Sequence, residues 1–378
     1  MVVAARELLR QPWDIAVLPT GEVMVWSWTP DGFYLDAYDA NLAILWTRDL
    51  GHRSAGMSVD GNGLVWALDN AGASAYSDEG ELKTRIEAPS IPGMEVSALE
   101  LVDGDFVFAY RHVEGSLPDN PALVRVTPSG AVLWSTRLTT ETITFTGDPY
   151  AREVAGRFSV STWKCGFRAG TLCRSGDMLL AVYADMPRSG IGVGYALSLT
   201  TGALSYVTKY GPINNVAAGS AGSFLVGYMG YGIFETISYS RAGNEQNKWA
   251  SQGYYVLEGD DVRVIELDNR RSLPRLARLK SDGTVVTGDL LEGYYTSEPY
   301  LRSDGMLFFA REGLLNAVAD LRIDYRTSLK PPAVDGAFFH TRIVSGRNGA
   351  FATYSANRIP PKGSGPIGHV SGLVRLAI

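Results

Sequence analysis

The chain repeatedly alternates apolar and polar residues in short runs that are separated by turn residues. One such stretch, LDAYDANLAILWTRDL at 35–50, has five approximate copies, which begin at residues 73, 123, 195, 236 and 276. Alternation with a period of two is typical of β-strands that bury one face. Each copy therefore predicts two strands joined by a tight turn.

The turn in each copy needs a residue that tolerates a positive φ. We expect Asn41 to serve in the first copy, and glycine stands there in the other five: Gly80, Gly130, Gly202, Gly243 and Gly283. An aromatic residue follows near the end of three copies, at Trp46, Trp134 and Tyr206. We expect these rings to pack between neighbouring sheets.

A second alternating unit precedes each copy, with turn glycines at 21, 61, 104, 176, 222, 259, 305 and 346. Two hairpins in a period of about 40 to 46 residues make four short antiparallel strands, the content of one propeller blade. The pattern predicts an all-β, single-domain β-propeller over residues 1–378, with about eight four-stranded blades. Seven blades are the alternative, because the last unit is long and irregular. We expect an insertion at about 140–165, between the third and fourth blades.

The two ends of the chain predict how the ring closes. The last repeat supplies a hairpin and one further strand, HVSGLVRLAI, while VVAARELL precedes the first blade. We expect the N-terminal strand to join the last, C-terminal blade, because this pairing leaves no open sheet edge.

Composition excludes some partners. The 34 basic and 40 acidic residues give a net charge of −6, so we expect no binding to nucleic acid. We also expect no membrane span, since no run of about 18 apolar residues occurs. The start, MVVAARELLRQPWD, does not resemble a secretory signal peptide, which predicts a cytoplasmic protein.

The alternating strands with endings such as YDANLAILW and VTPSGAVLW resemble the pyrroloquinoline-quinone-type repeats of the quinoprotein alcohol dehydrogenase-like superfamily. The resemblance implies a propeller, a fold that hosts redox enzymes and binding platforms alike. That family holds its quinone against a disulfide between adjacent cysteines, whereas the two cysteines of this chain are Cys165 and Cys173. We therefore expect no pyrroloquinoline quinone and predict no resident cofactor, with a divalent metal as a possibility.

The same two cysteines are predicted to be reduced, buried thiols. If they lie on one inner strand, eight residues apart, about 26 Å separates them at about 3.3 Å per residue. A disulfide requires Cα atoms within about 7 Å.

In a four-stranded blade, the connections into the first strand and those between the second and third strands leave on the same side of the disc. All the long connections of this chain belong to that group, which predicts one loop-rich face. The four histidines map to this face or its inner rim. We take His52, His112 and His340 as candidate acid/base residues or metal ligands, with His369 nearby.

Arginine and aromatic side chains are also predicted on the loop-rich face, where they suit carboxylates, aromatic peptides or sugars. The candidate binding residues are Arg53, Arg111, Arg188, Arg311, Trp28, Tyr228, Tyr231, Tyr294 and Tyr295.

Two functions fit this sequence. The first is a rigid platform that binds a protein, peptide or small-molecule partner on the loop-rich face. The alternative is a small-molecule enzyme of the lyase, cyclase or hydrolase type, in a specialised metabolic pathway, with its site in the central funnel. No phosphate-binding loop, nucleophile elbow or dinucleotide motif decides between them.

Overall fold

Eight four-stranded antiparallel sheets make up the part of the chain that the computed structural model describes. That part comprises residues 2–51, 54–112, 122–138, 172–184, 192–209, 211–230, 233–258, 261–266, 274–291, 297, 299–311, 313–329, 338–347, 349–358 and 368–377. Side chains are not described for 54–55, 111–112, 184, 230, 327, 338–342, 357–358 and 368–369.

Each sheet is one blade, built from strands that follow one another along the chain. Blade 1 contains β2 (Gln11–Val17), β3 (Val23–Thr29), β4 (Gly32–Tyr38) and β5 (Ile44–Gly51), and blade 2 contains β6 (Ser54–Val59), β7 (Val65–Asp69), β8 (Gly72–Tyr76) and β9 (Leu82–Glu87). Blade 3 contains β10 (Met94–Val102), β11 (Asp105–His112), β12 (Ala122–Val126) and β13 (Val132–Arg137), and blade 4 contains β14 (Leu172–Ser175), β15 (Met178–Ala184), β16 (Gly192–Ser198) and β17 (Leu204–Val207). Blade 5 contains β18 (Ile213–Ala218), β19 (Phe224–Gly230), β20 (Ile233–Tyr239) and β21 (Glu245–Trp249). Blade 6 contains β22 (Gly253–Glu258), β23 (Asp261–Glu266), β24 (Arg275–Leu279) and β25 (Val285–Leu290). Blade 7 contains β26 (Tyr300–Leu301), β27 (Leu307–Arg311), β28 (Leu314–Ala319) and β29 (Arg322–Ser328). Blade 8 contains β30 (Phe338–Gly346), β31 (Gly349–Arg358), β32 (Gly368–Leu376) and β1 (Val2–Leu8).

The blades form a ring in which the first strand of each is innermost. Inner strands of neighbouring blades contact one another, as β2 does with both β6 and β30. The apolar core lies between the blades, in eight clusters that each join two neighbours. Between blades 2 and 3, for example, the rings of Trp66 and Phe106 meet edge to face at 4.6 Å. The predicted β-propeller is confirmed, and its blade number is eight rather than seven.

The ring closes as predicted. Strand β1 pairs antiparallel with β32, from Val2 opposite Leu376 to Leu8 opposite Ser371, and so becomes the outer strand of blade 8. Two arginines of blade 8 then tie it to a turn of blade 1. Arg6 donates to the carbonyl of Leu42 at 2.7 Å, and Arg375 donates to the carbonyl of Ala40 at 3.1 Å.

The aromatic residues of the repeat pack against the next blade, as predicted. The indole of Trp46 donates to the carbonyl of Asp78 at 2.5 Å, and that of Trp134 donates to Leu199 at 2.8 Å. Each ring covers the turn glycine of that blade, Gly80 or Gly202, so closely that a Cβ there would lie 2.6 Å from the ring. Both glycines have positive φ, 78° and 70°.

The first turn differs from the prediction. Leu42, not Asn41, has the positive φ there, at 65°. Strand β1 carries no aromatic residue that could cover this turn, and the Leu42 side chain fills the gap itself, buried to 2% exposure beside Leu8 and Phe351. Apolar packing thus offsets the strain of a left-handed leucine, about 1 kcal/mol.

The strand order divides the connections between two faces. Turns between first and second strands, and between third and fourth strands, have two to five residues, such as 103–104 and 39–43. We call their side the tight-turn face. The longer connections, including the one from β13 to β14, all lie on the opposite, loop-rich face, as predicted. No helix in the described residues has the length and hydropathy needed to span a bilayer.

Candidate functional site

Five inner strands contain a β-bulge near the loop-rich face, within their first residues. The breaks in register fall at Pro12/Asp14, Ser54/Gly56, Val96/Ala98, Ile213/Asn215 and His340/Ile343. A bulge leaves one residue unpaired and redirects its side chain, and bulges are common beside binding sites. The inner rim of the loop-rich face is therefore irregular at the level where a central ligand or partner would meet it.

The bulge of β2 presents a tryptophan. Trp13 is 37% exposed, and its ring meets that of buried Trp26 edge to face at 6.1 Å. Trp26 in turn stacks on Phe33 at 5.2 Å, with 14° between the ring planes. Half-buried Trp28 lies opposite Phe33 in the next strand pair. We call these four residues the blade 1 aromatic cluster; its buried members hold Trp13 and Trp28 rigidly at the surface.

A buried ion pair braces the other side of the same blade. Asp36 is 2% exposed and accepts hydrogen bonds from Arg10 at 2.8 Å, Ser27 at 3.0 Å and Thr47 at 2.7 Å. The Arg10 guanidinium also lies 4.0 Å from the centre of the Tyr34 ring. Because Arg10 connects blade 8 to blade 1, the pair fixes the loop-rich end of the closing junction.

The loop-rich end of blade 5 holds a carboxylate between two ammonium groups. Glu235 accepts from Lys209 at 2.8 Å and contacts Lys248 at 2.5 Å. Burial alone would raise the pKa of Glu235, but the hydrogen bonds from the two lysines outweigh burial and hold the pKa below its usual value of 4.5. Glu235 therefore stays ionised, and this site adds one net positive charge to the face.

We expect the Glu235→Gln substitution to lower the free energy of unfolding at pH 7 by about 1 to 2 kcal/mol. A carboxyl whose pKa is lowered by folding stabilises the protein above the unfolded-state pKa, so the difference from wild type should disappear as pH falls from about 5 to below the folded-state pKa. Urea unfolding across this pH range measures it. Glu79→Gln, at an exposed glutamate without an ion pair in the described residues, is the control and should change little; a pH-independent loss in Glu235→Gln would contradict the prediction.

Buried polar side chains also line the junction of blades 5 and 6 near this face. Ser251 donates to Glu266 at 2.7 Å, and Thr236 is 2.9 Å from the hydroxyl of Tyr255. Burial raises the pKa of Glu266. Gln252 is completely buried, and neither of its amide atoms has a hydrogen-bond partner among the described residues. Unused hydrogen-bonding capacity of this kind is costly to bury, about 1 to 3 kcal/mol, which marks Gln252 as a candidate contact for a polar ligand group.

Three of the sequence-predicted binding residues have described side chains. Trp28 lies half-buried in the blade 1 aromatic cluster. Tyr228 is fully buried, with its hydroxyl donating to the carbonyl of Lys209 at 3.0 Å. Arg311 ends β27 and is 2% exposed. Tyr228 thus serves the packing between blades 4 and 5, and Trp28 is the one of the three with accessible surface.

The remaining candidates fall into two groups. The backbones of Arg111, His112, His340 and His369 lie in strand ends at the loop-rich face, as the predicted topology requires, but their side chains are outside the described part. Six candidates lie wholly outside the described residues, as does the expected insertion at 140–165: His52, Arg53, Arg188, Tyr231, Tyr294 and Tyr295.

Sequence reasoning did not single out Trp13 or the Glu235 site. Trp13 occupies a position that simple alternation assigns to a packed strand, and only the bulge exposes it. Lys209, Glu235 and Lys248 come from three separate strand ends, and no spacing in the sequence links them. The occurrence of three tryptophans within residues 13–28 was the one feature of the sequence that could have indicated the blade 1 aromatic cluster.

The prediction of reduced cysteines is wrong. Cys173 forms a disulfide bond. Its expected burial is confirmed, at 0% exposure. Cys165, the other cysteine of the sequence, lies outside the described residues. Disulfides are typical of oxidising compartments, which weighs against the cytoplasmic expectation.

The expected absence of pyrroloquinoline quinone stays a prediction. Cys173 lies on the inner strand β14 and packs in the apolar cluster between blades 4 and 5, beside Met178 and Phe224. We therefore derive no chemistry through that cofactor. In the described part of the chain, no group of three or more His, Cys, Asp or Glu side chains could hold a metal ion. The side chains of the three candidate histidines are not among those residues, so the possible metal site stays a prediction.

Comparison with solved structures shows the fold. A europium-containing methanol dehydrogenase aligns with all of this chain and 93% of its own, with a TM-score of 0.58 and 10% identity. The quinohemoprotein alcohol dehydrogenase from Comamonas testosteroni aligns over 99% of this chain and 76% of its own, with a TM-score of 0.55 and 10% identity. A chain of the mitotic checkpoint complex aligns over 82% and 89%, with a TM-score of 0.51 and 11% identity. No protein-family model and no curated protein matches the sequence.

The resemblance of the repeats to quinoprotein alcohol dehydrogenases is thus confirmed at the level of the fold. At 10% identity it shows the propeller alone.

Proposed function

We propose that this protein is a rigid platform that binds a protein, peptide or small-molecule partner on its loop-rich face. The observation that carries the proposal is the division of the connections: all the long ones leave on one side, above a ring whose inner strands bulge there. Long loops on a rigid support present variable side chains at little conformational cost to the scaffold.

The blade 1 aromatic cluster supplies the described part of the contact surface. Trp13 and Trp28 offer large, stiff rings held by Trp26 and Phe33, and such residues dominate the energy of binding interfaces. On the tight-turn face, by contrast, backbone carbonyls accept hydrogen bonds from side chains of the neighbouring blade, as those of Asp78 and Leu199 do. These turn carbonyls hold the ring together, whereas the long connections of the loop-rich face are not needed for contacts of this kind between blades.

Site-specific photo-crosslinking tests the proposal. A benzophenone amino acid replaces Trp13 or Trp28, both aromatic positions of the loop-rich face, and cells that express the protein are irradiated. We expect one dominant crosslinked partner, identified by mass spectrometry, from either position. The control position is Thr201, an exposed residue in a blade 4 turn of the tight-turn face.

The proposal also predicts competition. Wild-type protein without the crosslinking amino acid should compete for the partner and suppress the crosslinks from positions 13 and 28, since the two positions lie in one saturable binding site. Equal crosslinking from Thr201, or no saturable crosslink from either tryptophan position, would contradict a platform on this face.

A small-molecule enzyme is the second candidate, and buried Gln252 is the observation that favours it. An amide that has no hydrogen-bond partner among the described residues, beside the buried carboxyl of Glu266, suits recognition of a polar small molecule better than recognition of a flat protein surface. Native mass spectrometry of the purified protein separates the two functions. A retained small molecule or metal that is lost when His52, His112 and His340 are replaced by Ala supports the enzyme. A bare protein whose crosslinked partner is another polypeptide supports the platform.

A further inference from the structure

The outer strands of four consecutive blades expose aliphatic side chains near the tight-turn face. We call this set the rim patch; it contains Val3, Ile44, Leu45, Leu82, Val132 and Leu133, which are 44% to 59% exposed. They come from blades 8, 1, 2 and 3, which are neighbours in the closed ring. Isolated exposed apolar residues are ordinary, but Ile44 and Leu45 of blade 1 and Leu82 of blade 2 flank one junction of the ring, and apolar residues grouped in this way are typical of an interaction surface.

A comparison between blades shows that the fold does not need these residues. The outer strands of seven blades contain a bulge close to the same turn, and the bulged residue points to solvent. In blades 2, 4, 5 and 7 that residue is polar: Lys83, Ser205, Gln246 and Asp324. In blades 8, 1 and 3 the bulged residue is Val3, Leu45 and Leu133. Their exposed fractions are 58%, 50% and 51%.

The turns beside the rim patch are acidic. Between the strands of blades 1, 2 and 3, the tight-turn face carries seven carboxylates and no lysine or arginine: Glu22, Asp39, Asp60, Asp78, Glu79, Glu81 and Asp103. The Trp46 indole, next to Leu45 in the chain, donates to the carbonyl of Asp78. This contact places the acidic turn of blade 2 directly beside the apolar residues of blade 1.

Five of these seven carboxylates have no ion-pair partner in the described residues. Glu81 pairs with Lys83 and Asp103 pairs with Arg174, which leaves Glu22, Asp39, Asp60, Asp78 and Glu79. The described turns of blades 4 to 7 are different, since Asp177, Asp304 and Asp320 are paired and only Asp282 is not.

One of the five carboxylates is also partly withdrawn from water. Glu22 Oε2 is buried and accepts no hydrogen bond from the described residues. Burying a carboxylate oxygen without a partner is unfavourable, and an approaching cation would relieve it. Five carboxylates beside the rim patch therefore have no ion-pair partner among the described residues, and Lys83, which pairs with Glu81, is near enough to Asp78 and Glu79 to offset part of their charge.

We infer that the rim patch is a docking surface for a basic amphipathic helix of a partner protein, with its aliphatic side on the patch and its lysines or arginines toward the acidic turns. Charge complementarity selects a basic partner. The bulges interrupt the edges of β1, β5, β9 and β13, and an interrupted edge disfavours the addition of a further strand, so a helix is the element that fits. This surface is separate from the proposed platform on the loop-rich face.

The probe is a fluorescent 18-residue model helix of leucine and lysine, and its affinity for the full-length protein is measured by anisotropy at low and physiological salt. We expect saturable binding that weakens as salt rises. Two double variants should each weaken binding by about tenfold, a change of about 1.4 kcal/mol. They are Leu45→Ser with Leu82→Ser, and Asp78→Asn with Glu79→Gln.

Matched controls come from the other blades. Val286→Ser and Asp282→Asn remove an exposed aliphatic residue and an unpaired turn carboxylate from blade 6, and they should leave affinity within about twofold of wild type. Serine is the residue that blade 4 already has at the bulge, and Leu82 is exposed, so the leucine variants should keep the wild-type unfolding midpoint in urea.

Four results would overturn the inference. The first is no binding of the leucine–lysine helix. The second is equal binding of a helix with glutamate in place of lysine. The third is equal weakening by the blade 6 controls, which would mean non-specific attraction. The fourth is a dimer in sedimentation experiments that Leu45→Ser with Leu82→Ser dissociates, because a second copy of this chain would then occupy the patch.

Discussion

Deletion of residues 1–10 is expected to lower the free energy of unfolding by at least about 5 kcal/mol, which equals the whole stability of a marginally stable domain. The deletion removes the outer strand of blade 8, whose pairing with β32 extends from Val2 to Leu8. It also exposes the apolar cluster at the closing junction, where Leu8 covers Leu42 and Phe351.

The largest single part of this loss comes from Asp36. Without Arg10, a carboxylate that is 2% exposed keeps only the Ser27 and Thr47 hydroxyls as partners. Breaking a buried ion pair from one side costs about 3 to 5 kcal/mol, and the partial exposure of Arg10, 22%, places this case at the lower end. The Arg10→Ala variant isolates this contribution, and urea unfolding measures both proteins.

A rearranged chain is the control for the deletion. Because Val2 lies opposite Leu376, residues 1–10 can be moved behind residue 378 through a short glycine linker, so that β32 and β1 become a hairpin. This chain, which starts at Gln11, should recover most of the lost stability. Failure to recover would mean that the position of the segment in the sequence, rather than its pairing, matters, and would contradict the account of ring closure.

Gly202→Ala is expected to destabilise the protein by about 3 to 4 kcal/mol. Its φ of 70° is unfavourable for alanine by about 1 kcal/mol. The new methyl group would also lie 2.6 Å from the Trp134 ring and 2.8 Å from Thr136 Oγ1. The ring would have to move away from the Leu199 carbonyl that it contacts, which adds about 2 to 3 kcal/mol of overpacking.

Gly283→Ala separates the two causes. Gly283 occupies the same position of its turn with a φ of 88°, but nothing lies within 4 Å of its missing Cβ. It should therefore show only the backbone cost. Urea unfolding of both variants should differ by about 2 kcal/mol or more.

A double-mutant cycle identifies the ring as the origin of the difference. In a Trp134→Ala background, the extra cost of Gly202→Ala should largely disappear, because the clashing atoms are gone. An unchanged cost in that background, or equal destabilisation by Gly202→Ala and Gly283→Ala, would show that Trp134 does not clamp blade 4.

The repeating features of the fold were predictable because each depends on residues close together in the chain. Positive φ at Gly80, Gly130, Gly202, Gly243 and Gly283 follows from the geometry of a short hairpin. Packing of Trp46 and Trp134 on the next blade follows from repetition, since an apolar face that recurs in every blade must meet its neighbour. Ring closure by residues 2–8 follows from the missing fourth strand of the last repeat.

Predictions failed where one residue departs from the repeat. Leu42 adopts a conformation that hairpin geometry assigns to glycine or asparagine. The outer strand of blade 8 has no aromatic residue, and burial of the Leu42 side chain in the space that remains stabilises this conformation. Cys173 is disulfide-bonded, whereas the prediction rested on both cysteines lying along one extended strand. Sequence patterns within one hairpin predict what most blades share, and they do not predict contacts that a single side chain makes outside its own hairpin.

The sequence by itself determined the architecture: the period, the closing strand and the side on which the long connections leave, with eight or seven as the number of blades. Only the tertiary structure decided which side chains are accessible, because bulges and packing between blades set exposure independently of the alternating pattern. Tyr228 was a candidate for binding and is buried, whereas Trp13 and Leu45 follow the strand pattern and are exposed by bulges. A bulge shifts the register by one residue, and one residue is enough to turn a side chain from the core to the solvent.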